Sequence, residues 1–261
     1  MSIKNFIITK AIPAVGTLFR CPTVLPVIYY HDIVDDSKGF SYMRTGVTNY
    51  RQQMEYLKEA GYKTLLFSEL PKDMKKSSKE KKLIVTYDDG FESNYLVAFP
   101  IAKEFGIKMN IFMTYDYIGK ENYLKEEQIK EMMDSGLVEF GFHTKSHCDC
   151  RALTDAALFE NEIVQGNALL EDVLNKKVGD FCFPYGYYTK DVVDSISKSG
   201  LFERIYTSNY IKPTEVNGSV VCGRIGIDNN WDLESFKKYI DGKYRIMHYY
   251  TKLRVGVPDV K

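Results

Sequence analysis

The chain has 261 residues, of which 44% are hydrophobic and 27% are charged. This composition is that of an ordinary globular protein, so it excludes extensive disorder and allows a sizeable core. Lys plus Arg and Asp plus Glu both number 35, so no overall charge draws the chain to nucleic acid, and we predict no nucleic-acid partner.

The N-terminal extension, residues 1–23, is mildly apolar, but Lys10 interrupts it and no small-residue cleavage site follows. No segment reaches the roughly 18–20 apolar residues of a membrane span. The five cysteines show no paired metal-ligand spacing, which favours free thiols in a reducing compartment. We therefore predict a cytoplasmic protein whose extension makes at most weak contact with the inner membrane surface. The oligomeric state stays open.

Short apolar segments alternate with segments of helical period along residues 24–241, as in parallel strands joined by crossover helices. The predicted strands are Val24–Tyr30, Lys63–Phe67, Leu83–Tyr87, Met109–Thr114, Val138–Phe142, Val178–Phe183, Arg204–Ser208 and Arg224–Ile227. The predicted helices are Thr48–Ala60, Glu92–Phe105, Lys125–Ser135, Asp155–Leu174, Lys190–Ser199 and Leu233–Ile240. Seven or eight such units suggest one α/β barrel domain, with residues 242–261 as a C-terminal tail.

Several helix boundaries carry recognisable signals. Thr48 and Thr154 are predicted N-caps. Glycines just past the predicted ends mark four helix C-termini; they are Gly61, Gly106, Gly136 and Gly200.

Two adjacent carboxylates, Asp88 and Asp89, end the strand predicted at Leu83–Tyr87, and Gly90 lets the chain turn sharply. One carboxylate can bind a cation while the other acts as a base beside it. The structural alternative is a helix N-cap, since an Asp at this point would accept hydrogen bonds from free backbone N–H groups.

Two of the four histidines of the chain, His143 and His147, follow the strand predicted at Val138–Phe142. If the residues between them form a turn, both imidazoles can reach one metal ion at roughly 2.0–2.1 Å. A zinc-type catalytic site needs three protein ligands and one open position. Two histidines and one carboxylate supply that set.

A third strand end carries Pro184, Tyr185 and Gly186. Pro184 fixes the approach of the chain and Gly186 frees its exit, so Tyr185 can present its backbone N–H to a developing oxyanion. We predict that Pro184 and Tyr185 line the substrate site. A tight turn with a packed Tyr is the alternative.

These three motifs, Asp-Asp-Gly, His-x-x-x-His and Pro-Tyr-Gly, resemble in this order the polysaccharide deacetylase family. These are the family-four carbohydrate esterases, related to chitooligosaccharide deacetylases. The resemblance runs from Val24 to Phe236. It implies a distorted (β/α) barrel with about seven parallel strands, one divalent metal ion, and hydrolysis of an acetamide on an amino sugar.

By position, the resemblance implies that Asp88 is the general base and Asp89 the carboxylate ligand, with His143 and His147 as imidazole ligands. The N–H of Tyr185 would stabilise the tetrahedral oxyanion. Zinc is the predicted ion, and cobalt, nickel and ferrous iron are alternatives, because a site with two histidines and one carboxylate accepts all four.

This sequence departs from the family pattern at the position two residues before Pro184, where the family often has an Arg that orients the base. Cys182 stands there instead. Arg224, in a later strand, is the candidate to replace that Arg, and a surface or rim ion pair is the alternative interpretation of Arg224.

The late Leu-x-His that supplies the general acid in the family is also missing, and the only late histidine, His248, has the wrong context. His31 ends the first predicted strand, and all parallel barrel strands end on one face, so we predict that His31 is the acid. The neighbouring Asp32 would raise its pKa or hold its tautomer. A histidine packed under the barrel mouth is the alternative.

We therefore expect a metal-dependent hydrolase that removes N-acetyl groups from an amino sugar or a glycan precursor of a cell-surface polysaccharide. The Tyr-rich loops Asp35–Gly46 and Tyr115–Asn122 suit an N-acetylated carbohydrate as the partner. One alternative is a metal-dependent deformylase or amidase acting on a small molecule or a lipid-linked sugar. Another is a catalytically silent glycan-binding barrel, against which the intact base and ligands argue.

Overall fold

The computed structural model describes residues 25–38, 41–71, 74, 80–209 and 211–240. The predicted extension 1–23, the predicted tail 242–261 and His248 lie outside these ranges. Where domain boundaries fall therefore stays a prediction. None of the helices in the described part has the length and hydropathy that a membrane span requires.

Short strands and helices alternate along the described ranges. The strands are β1 Val27–Tyr30, β2 Asp32–Val34, β3 Arg44–Gly46, β4 Lys63–Thr64, β5 Lys82–Tyr87, β6 Met109–Met113, β7 Val138–Phe142, β8 Asp180–Cys182, β9 Arg204–Thr207, β10 Thr214–Val216, β11 Ser219–Gly223 and β12 Ile225–Gly226. The α-helices are α1 Val47–Glu59, α2 Phe99–Phe105, α3 Glu126–Asp134, α4 Ala156–Phe159, α5 Gly166–Leu174, α6 Lys190–Lys198 and α7 Leu233–Ile240.

The main sheet has the order β10-β11-β9-β8-β7-β6-β5-β1-β12, and β4 joins β5 beside this path. All of its ladders are parallel except the one between β10 and β11. The predicted α/β class with a mainly parallel sheet is confirmed. Because the strands are parallel, the residues that follow β1, β5, β7 and β8 lie at the same edge of the sheet.

The two ends of the parallel sheet are joined by one continuous segment, residues 219–226. Its first part, β11, pairs with β9, and its last part, β12, pairs with β1. Only Arg224 separates the two strands, and the ladder does not run from β11 to β12 among the described strands. Closure of the sheet into a barrel is therefore not confirmed.

The sheet is buried on both faces, which explains the nearly continuous apolar composition of its strands. Along β5, Leu83 and Val85 face the helices, while Ile84 points to the other face. There it meets a second cluster with Phe112 and Tyr206. This inner cluster lies on the opposite face of the sheet from the helices and fills the space below the strand ends.

Both predicted N-caps are wrong. Helix α1 begins at Val47, one residue before Thr48, whose hydroxyl donates to Asp36 instead. At the start of α4 the carboxylate of Asp155 accepts the hydrogen bond of the first turn, so Thr154 lies one residue too early. Asp155 stands next to Thr154 and competes for the same N–H groups, whereas the carboxylate that accepts from the N–H of Thr48 is Asp36, 12 residues earlier in the chain.

The four predicted helix-ending glycines are confirmed, with φ values of 73°, 69°, 70° and 70° at residues 61, 106, 136 and 200. Two long predicted helices are interrupted. Asn94–Ala98 precedes α2 as a π-helical turn, and Glu160–Gln165 separates α4 from α5 in the same way. Such π turns often mark functional sites.

The pair β2–β3 and the hairpin β10–β11 were not predicted from the sequence. The hairpin turns through Asn217 and Gly218, which have φ values of 46° and 90°. Asn-Gly is the strongest short signal for a two-residue hairpin turn, so this element was available in the sequence.

Candidate active site

The carboxylates of Asp88 and Asp89 are buried directly after β5, with 2% and 4% of each residue exposed. Asp89 and Gly90 both have left-handed backbone, with φ of 71° and 73°. A Cβ on Gly90 would lie 2.6 Å from the sulfur of Met113, so the turn requires glycine there. The helical segment that follows has Ser93 as its N-cap, so neither carboxylate serves as the cap.

The two histidines converge on Asp89. Nε2 of His147 lies 3.1 Å from Oδ1 of Asp89, and Nε2 of His143 lies 3.5 Å from the same oxygen. The ligand-type atoms of these three residues all lie within 4.8 Å of one another. The sequence-predicted ligand set is thus brought together in space.

His143 has the protonation state and orientation of a metal ligand. Its Nδ1 lies 2.8 Å from the carbonyl oxygen of Cys182. A carbonyl only accepts, so Nδ1 carries the proton and Nε2 presents its lone pair toward Asp89. Burial lowers the pKa of His143 to about 4 against the opposing charges of Asp88 and Asp89, which keeps the imidazole neutral.

Oδ1 of Asp89 fits a cation. It is buried and makes no hydrogen bond of normal geometry with the described residues, which is costly unless a cation or another donor is present. Burial acts to raise the pKa of Asp89, but the proximity of His147, His143 and His31 lowers it overall. Two imidazoles and one carboxylate are the donor set of a zinc-type ion with an open position.

A second group of possible ligand atoms, from Asp88, His143 and Cys182, also lies within 4.8 Å. Arg224 donates to both Asp88 and Cys182. A guanidinium in contact with two of the three atoms opposes a cation at that point. The group containing Asp89 is therefore the better metal site.

Arg224 is fully buried, with 0% exposed, and forms a two-pronged contact with Asp88. Its Nη1 donates to Oδ1 and its Nη2 to Oδ2, each at 2.7 Å. Nη1 also donates to Oγ1 of Thr86 at 3.0 Å, and the Tyr29 ring packs 4.4 Å from Cζ. The alternative of a surface or rim ion pair is wrong. Neither Thr86 nor Tyr29 was predicted to take part in the site, although Thr86 lies two residues before Asp88 and Tyr29 lies in the first predicted strand.

Arg224 sets the charge state of Asp88. Burial would raise the pKa of this carboxyl, but the charge and hydrogen bonds of Arg224 outweigh burial and lower it to about 2. Nη2 of Arg224 also lies 2.7 Å from Sγ of Cys182, the position where the family pattern has its own Arg. The small side chain of Cys182 leaves room for the guanidinium of Arg224, which is the residue between β11 and β12.

Tyr185 stands in a 3-10 turn, Pro184–Gly186, after β8. Its ring is 59% exposed and lies 4.5 Å from the ring of His147. Gly186 and Tyr187 donate their N–H groups back into the turn, to Phe183 and Pro184. The N–H of Tyr185 precedes them, at a position that has no acceptor within such a turn. Tyr185 is thus placed beside the ligands, and Pro184 is buried beneath it.

His31 follows β1 at the same edge of the sheet. Its charge is among the influences that lower the pKa of Asp88 and Asp89, so it lies within electrostatic reach of both. The side chain of Asn94, in the π turn, donates to the carbonyl oxygen of His31 at 2.8 Å. The backbone of His31 is thereby fixed to the helical segment that follows Asp89.

Asp32 does not hold the tautomer of His31 as predicted. Its Oδ1 accepts a hydrogen bond from Oγ of Ser93 at 2.7 Å, and its Oδ2 lies 3.7 Å from Nε of Arg44. As β2 begins at Asp32, its side chain is turned to the neighbouring strand β3 and away from the site.

Backbone strain concentrates in the site. Seven non-glycine residues have positive φ among those described, and three of them are Asn, which tolerates this conformation. The other four are Asp89, Thr144, His147 and Tyr185, all in the loops after β5, β7 and β8. This conformation costs on the order of 1 kcal/mol at Thr144 and Tyr185, and less at Asp89 and His147, because Asp and His share the tolerance of Asn. Such backbone strain persists at functional sites, where the surrounding structure holds a residue in the conformation that the function requires.

Comparison with known proteins agrees with this geometry. The family model for polysaccharide deacetylase matches residues 75–202. That range contains Asp88, Asp89, both histidines and the Pro-Tyr-Gly turn, but neither His31 nor Arg224. The Bacillus subtilis protein YxkH, of the polysaccharide deacetylase type, is 29% identical over 224 residues, which cover 84% of this chain and 77% of YxkH.

Further relatives have the same character. A poly-β-1,6-N-acetyl-D-glucosamine N-deacetylase of Staphylococcus aureus is 25% identical over 67% of this chain and 63% of its own length. The crystal structure of a polysaccharide deacetylase from Bacillus cereus superposes with a TM-score of 0.73 at 26% identity, covering 84% of this chain and 69% of that one. IcaB from Ammonifex degensii gives 0.67 at 26% identity, covering 84% and 97%.

The three sequence motifs, their convergence at one edge of a parallel sheet, and these relatives agree. Residues 75–202 belong to the polysaccharide deacetylase family, and the likeness to its members extends over 84% of the chain.

Proposed function

We propose that this chain is a metal-dependent hydrolase that removes N-acetyl groups from amino-sugar units of a cell-surface glycan or its precursor. The observation that carries the proposal is the convergence of Asp89, His143 and His147 beside the buried pair of Asp88 and Arg224. The Staphylococcus aureus relative, whose name states N-deacetylation of a poly-N-acetylglucosamine, supports the reaction.

Asp89, His143 and His147 would hold one divalent ion. When bound, such an ion supplies Lewis-acid polarisation of the acetyl carbonyl and lowers the pKa of water. Zinc is the ion that we propose, because the donor set is two imidazoles and one carboxylate. Cobalt, nickel and ferrous iron suit the same donors.

Asp88 is the proposed base. Its low pKa keeps it ionised throughout the neutral range, ready to accept a proton from the attacking water. Arg224 holds both carboxylate oxygens, and so fixes the direction from which the proton is taken. The backbone N–H of Tyr185 donates to the developing oxyanion, and His31 protonates the leaving amine.

The rim of the site suits a carbohydrate. Among the described residues, three of the four exposed large hydrophobic side chains are Tyr42, Tyr185 and Tyr187, with 74%, 59% and 47% exposed. The rings of Tyr185 and Tyr187 lie 5.6 Å apart. Exposed aromatic rings beside a polar centre pack against the C–H faces of sugars.

Two alternatives remain as outcomes of the tests. A deformylase or amidase would use the same metal and base on another acyl group. A catalytically silent barrel would give no reason for four strained residues around an unsatisfied carboxylate oxygen. The cytoplasmic location stays a prediction. The four cysteines of the described ranges are free thiols.

The decisive experiment measures metal content and acetate release together. The purified wild-type protein should contain one divalent ion per chain by elemental analysis, and His143→Ala and His147→Ala should each lose it. Metal-loaded wild type should release acetate from N-acetylglucosamine oligomers or from nucleotide-linked or lipid-linked N-acetylated sugars. Release of formate from N-formylated sugars alone would favour the deformylase. Equal metal content in all three proteins would contradict the site.

A further inference from the structure

We propose that Glu162 is a positioning residue that holds the His147 loop in its metal-binding form. Glu162 lies in the π turn between α4 and α5 and is buried, with 4% exposed. None of the steps assigned above uses this carboxylate. The proposal rests on the metal site of the proposed function.

Glu162 accepts hydrogen bonds from Lys145 and Ser146, at the centre of the His-x-x-x-His segment. Its Oε2 accepts from the backbone N–H of Ser146 at 3.0 Å, and its Oε1 accepts from Oγ of Ser146 at 2.8 Å. Its backbone carbonyl accepts from the N–H of Lys145 at 3.1 Å. One residue therefore satisfies both consecutive N–H groups just before His147.

The segment requires such a hold because it is strained. Thr144 and His147 have φ values of 66° and 62°, on either side of the two residues that Glu162 contacts. On the other side the carbonyls of Thr144 and Lys145 accept from the N–H groups of Tyr115 and Asp116. The ligand loop is thus clamped between residues 115–116 and the π turn.

The helix that carries Glu162 lies unusually close to this loop. A Cβ on Gly166 would stand 2.8 Å from Cβ of Lys145 and 2.9 Å from the ring of Phe142. Glycine at this point, although its own φ of −60° is helical, lets the helix approach. The π turn shifts the helical register, which brings Glu162 to face Ser146.

A residue that fixes a ligand from outside the ligand set acts on metal affinity. Loss of a group hydrogen-bonded to a ligand itself typically weakens metal binding about 10–100-fold, and Glu162 acts on His147 through the adjacent Ser146. Glu162→Ala should therefore raise the dissociation constant for Zn²⁺ about 10–100-fold, measured by competition with a chelator. The Co²⁺ absorption spectrum of Glu162→Ala should also change, because the loop no longer holds His147 in one geometry.

Glu162→Gln separates geometry from charge. Its amide oxygen accepts from the N–H of Ser146 and its amide nitrogen donates to Oγ of Ser146, so it should keep Zn²⁺ affinity near the wild-type value. Ser146→Ala removes only the side-chain contact and should lie between wild type and Glu162→Ala. It also provides a test if Glu162→Ala does not fold.

Glu171→Ala is the matched control. Glu171 lies on the following helix α5 and likewise accepts a backbone N–H, that of Val178 at 3.0 Å, together with the Nζ of Lys177. It should lower the melting temperature of the metal-free protein without changing Zn²⁺ affinity. A melting temperature that falls in Glu162→Ala with unchanged Zn²⁺ affinity and Co²⁺ spectrum would overturn the proposal. Failure of the wild-type protein to bind Zn²⁺ would instead contradict the proposed function.

Discussion

Two buried Arg–Asp pairs lie at opposite edges of the parallel sheet, one at the carboxyl ends of its strands and the other at the amino ends. Both form a two-pronged contact, but their surroundings differ. Arg224 and Asp88 follow the strands at the carboxyl edge, with two hydrogen bonds of 2.7 Å. Arg204 and Asp180 begin β9 and β8 at the amino edge, with bonds of 2.6 and 2.9 Å. Each guanidinium holds both oxygens of its carboxylate.

The surroundings distinguish the two pairs. Burial raises the pKa of Asp180 despite Arg204, and nearby Glu203 adds to this effect. The pKa of Asp88 is instead lowered, because the charge and hydrogen bonds of Arg224 outweigh burial. The amino-edge pair is embedded in regular strands, whereas the carboxyl-edge pair adjoins strained loops. A buried ion pair by itself therefore does not mark an active site. The charged groups that surround the pair distinguish the two cases.

The largest effect is expected at the carboxyl edge. Asp88→Asn should lower kcat/KM about 10²–10⁴-fold, since this is the typical contribution of a general base, while elemental analysis should find unchanged metal content. The matched change at the amino edge, Asp180→Asn, should affect stability and leave the rate unchanged. Metal loss in Asp88→Asn would mean that Asp88 and Asp89 share or exchange their roles.

The next effect concerns His31. His31→Ala should slow release of acetate from an acetamide about 10²-fold, because an amine leaving group needs a proton. It should leave hydrolysis of an activated acetate ester nearly unchanged, since that leaving group needs none. Comparable losses on both substrates would assign His31 to positioning. A normal rate in His31→Ala beside a crippled His248→Ala would transfer the acid to His248.

A smaller effect is expected for Arg224→Lys, which keeps the charge but loses the two-pronged contact. A displaced base costs about 10–10²-fold in rate. The native pKa of Asp88 lies below its unfolded value, so the pair contributes stability above about pH 4 that is lost as the pH falls toward about 2. In Arg224→Lys the pKa of Asp88 should rise, and the acidic limb of the kcat/KM profile should move to higher pH. An unmoved limb would show that Arg224 does not set this pKa.

The smallest effect on activity is expected at the amino edge. Arg204→Met alone leaves Asp180 buried and unpaired and should lower the free energy of unfolding by about 3–5 kcal/mol. The double variant Asp180→Leu with Arg204→Met should recover much of this loss, because no uncompensated charge remains. Urea unfolding measures both, and kcat/KM should stay at the wild-type value. A large loss of activity in the double variant would contradict the prediction that the pair of Arg204 and Asp180 affects stability alone.

Much of the site could be predicted because its residues follow strands in short motifs. Asp88, Asp89, His143 and His147 each stand within a few residues of an apolar strand, and parallel strands end at one edge. The mainly parallel α/β fold followed from the same alternation. The two N-caps could not be decided locally: Asp155 beside Thr154 competes for the same N–H groups, and Asp36, 12 residues earlier in the chain, accepts from the N–H of Thr48.

By itself, the sequence determined the candidate metal ligands, the strand-end positions and the resemblance to the family, because these depend on local pattern and order along the chain. Only the tertiary structure decided that Arg224 meets Asp88, 136 residues away. The tertiary structure also decided that Asp32 contacts Ser93 and that Glu162 contacts the loop of His147. Such contacts depend on which strands become neighbours and on how closely a helix approaches a loop. These distances are set by packing of the whole sheet, and no local pattern encodes them.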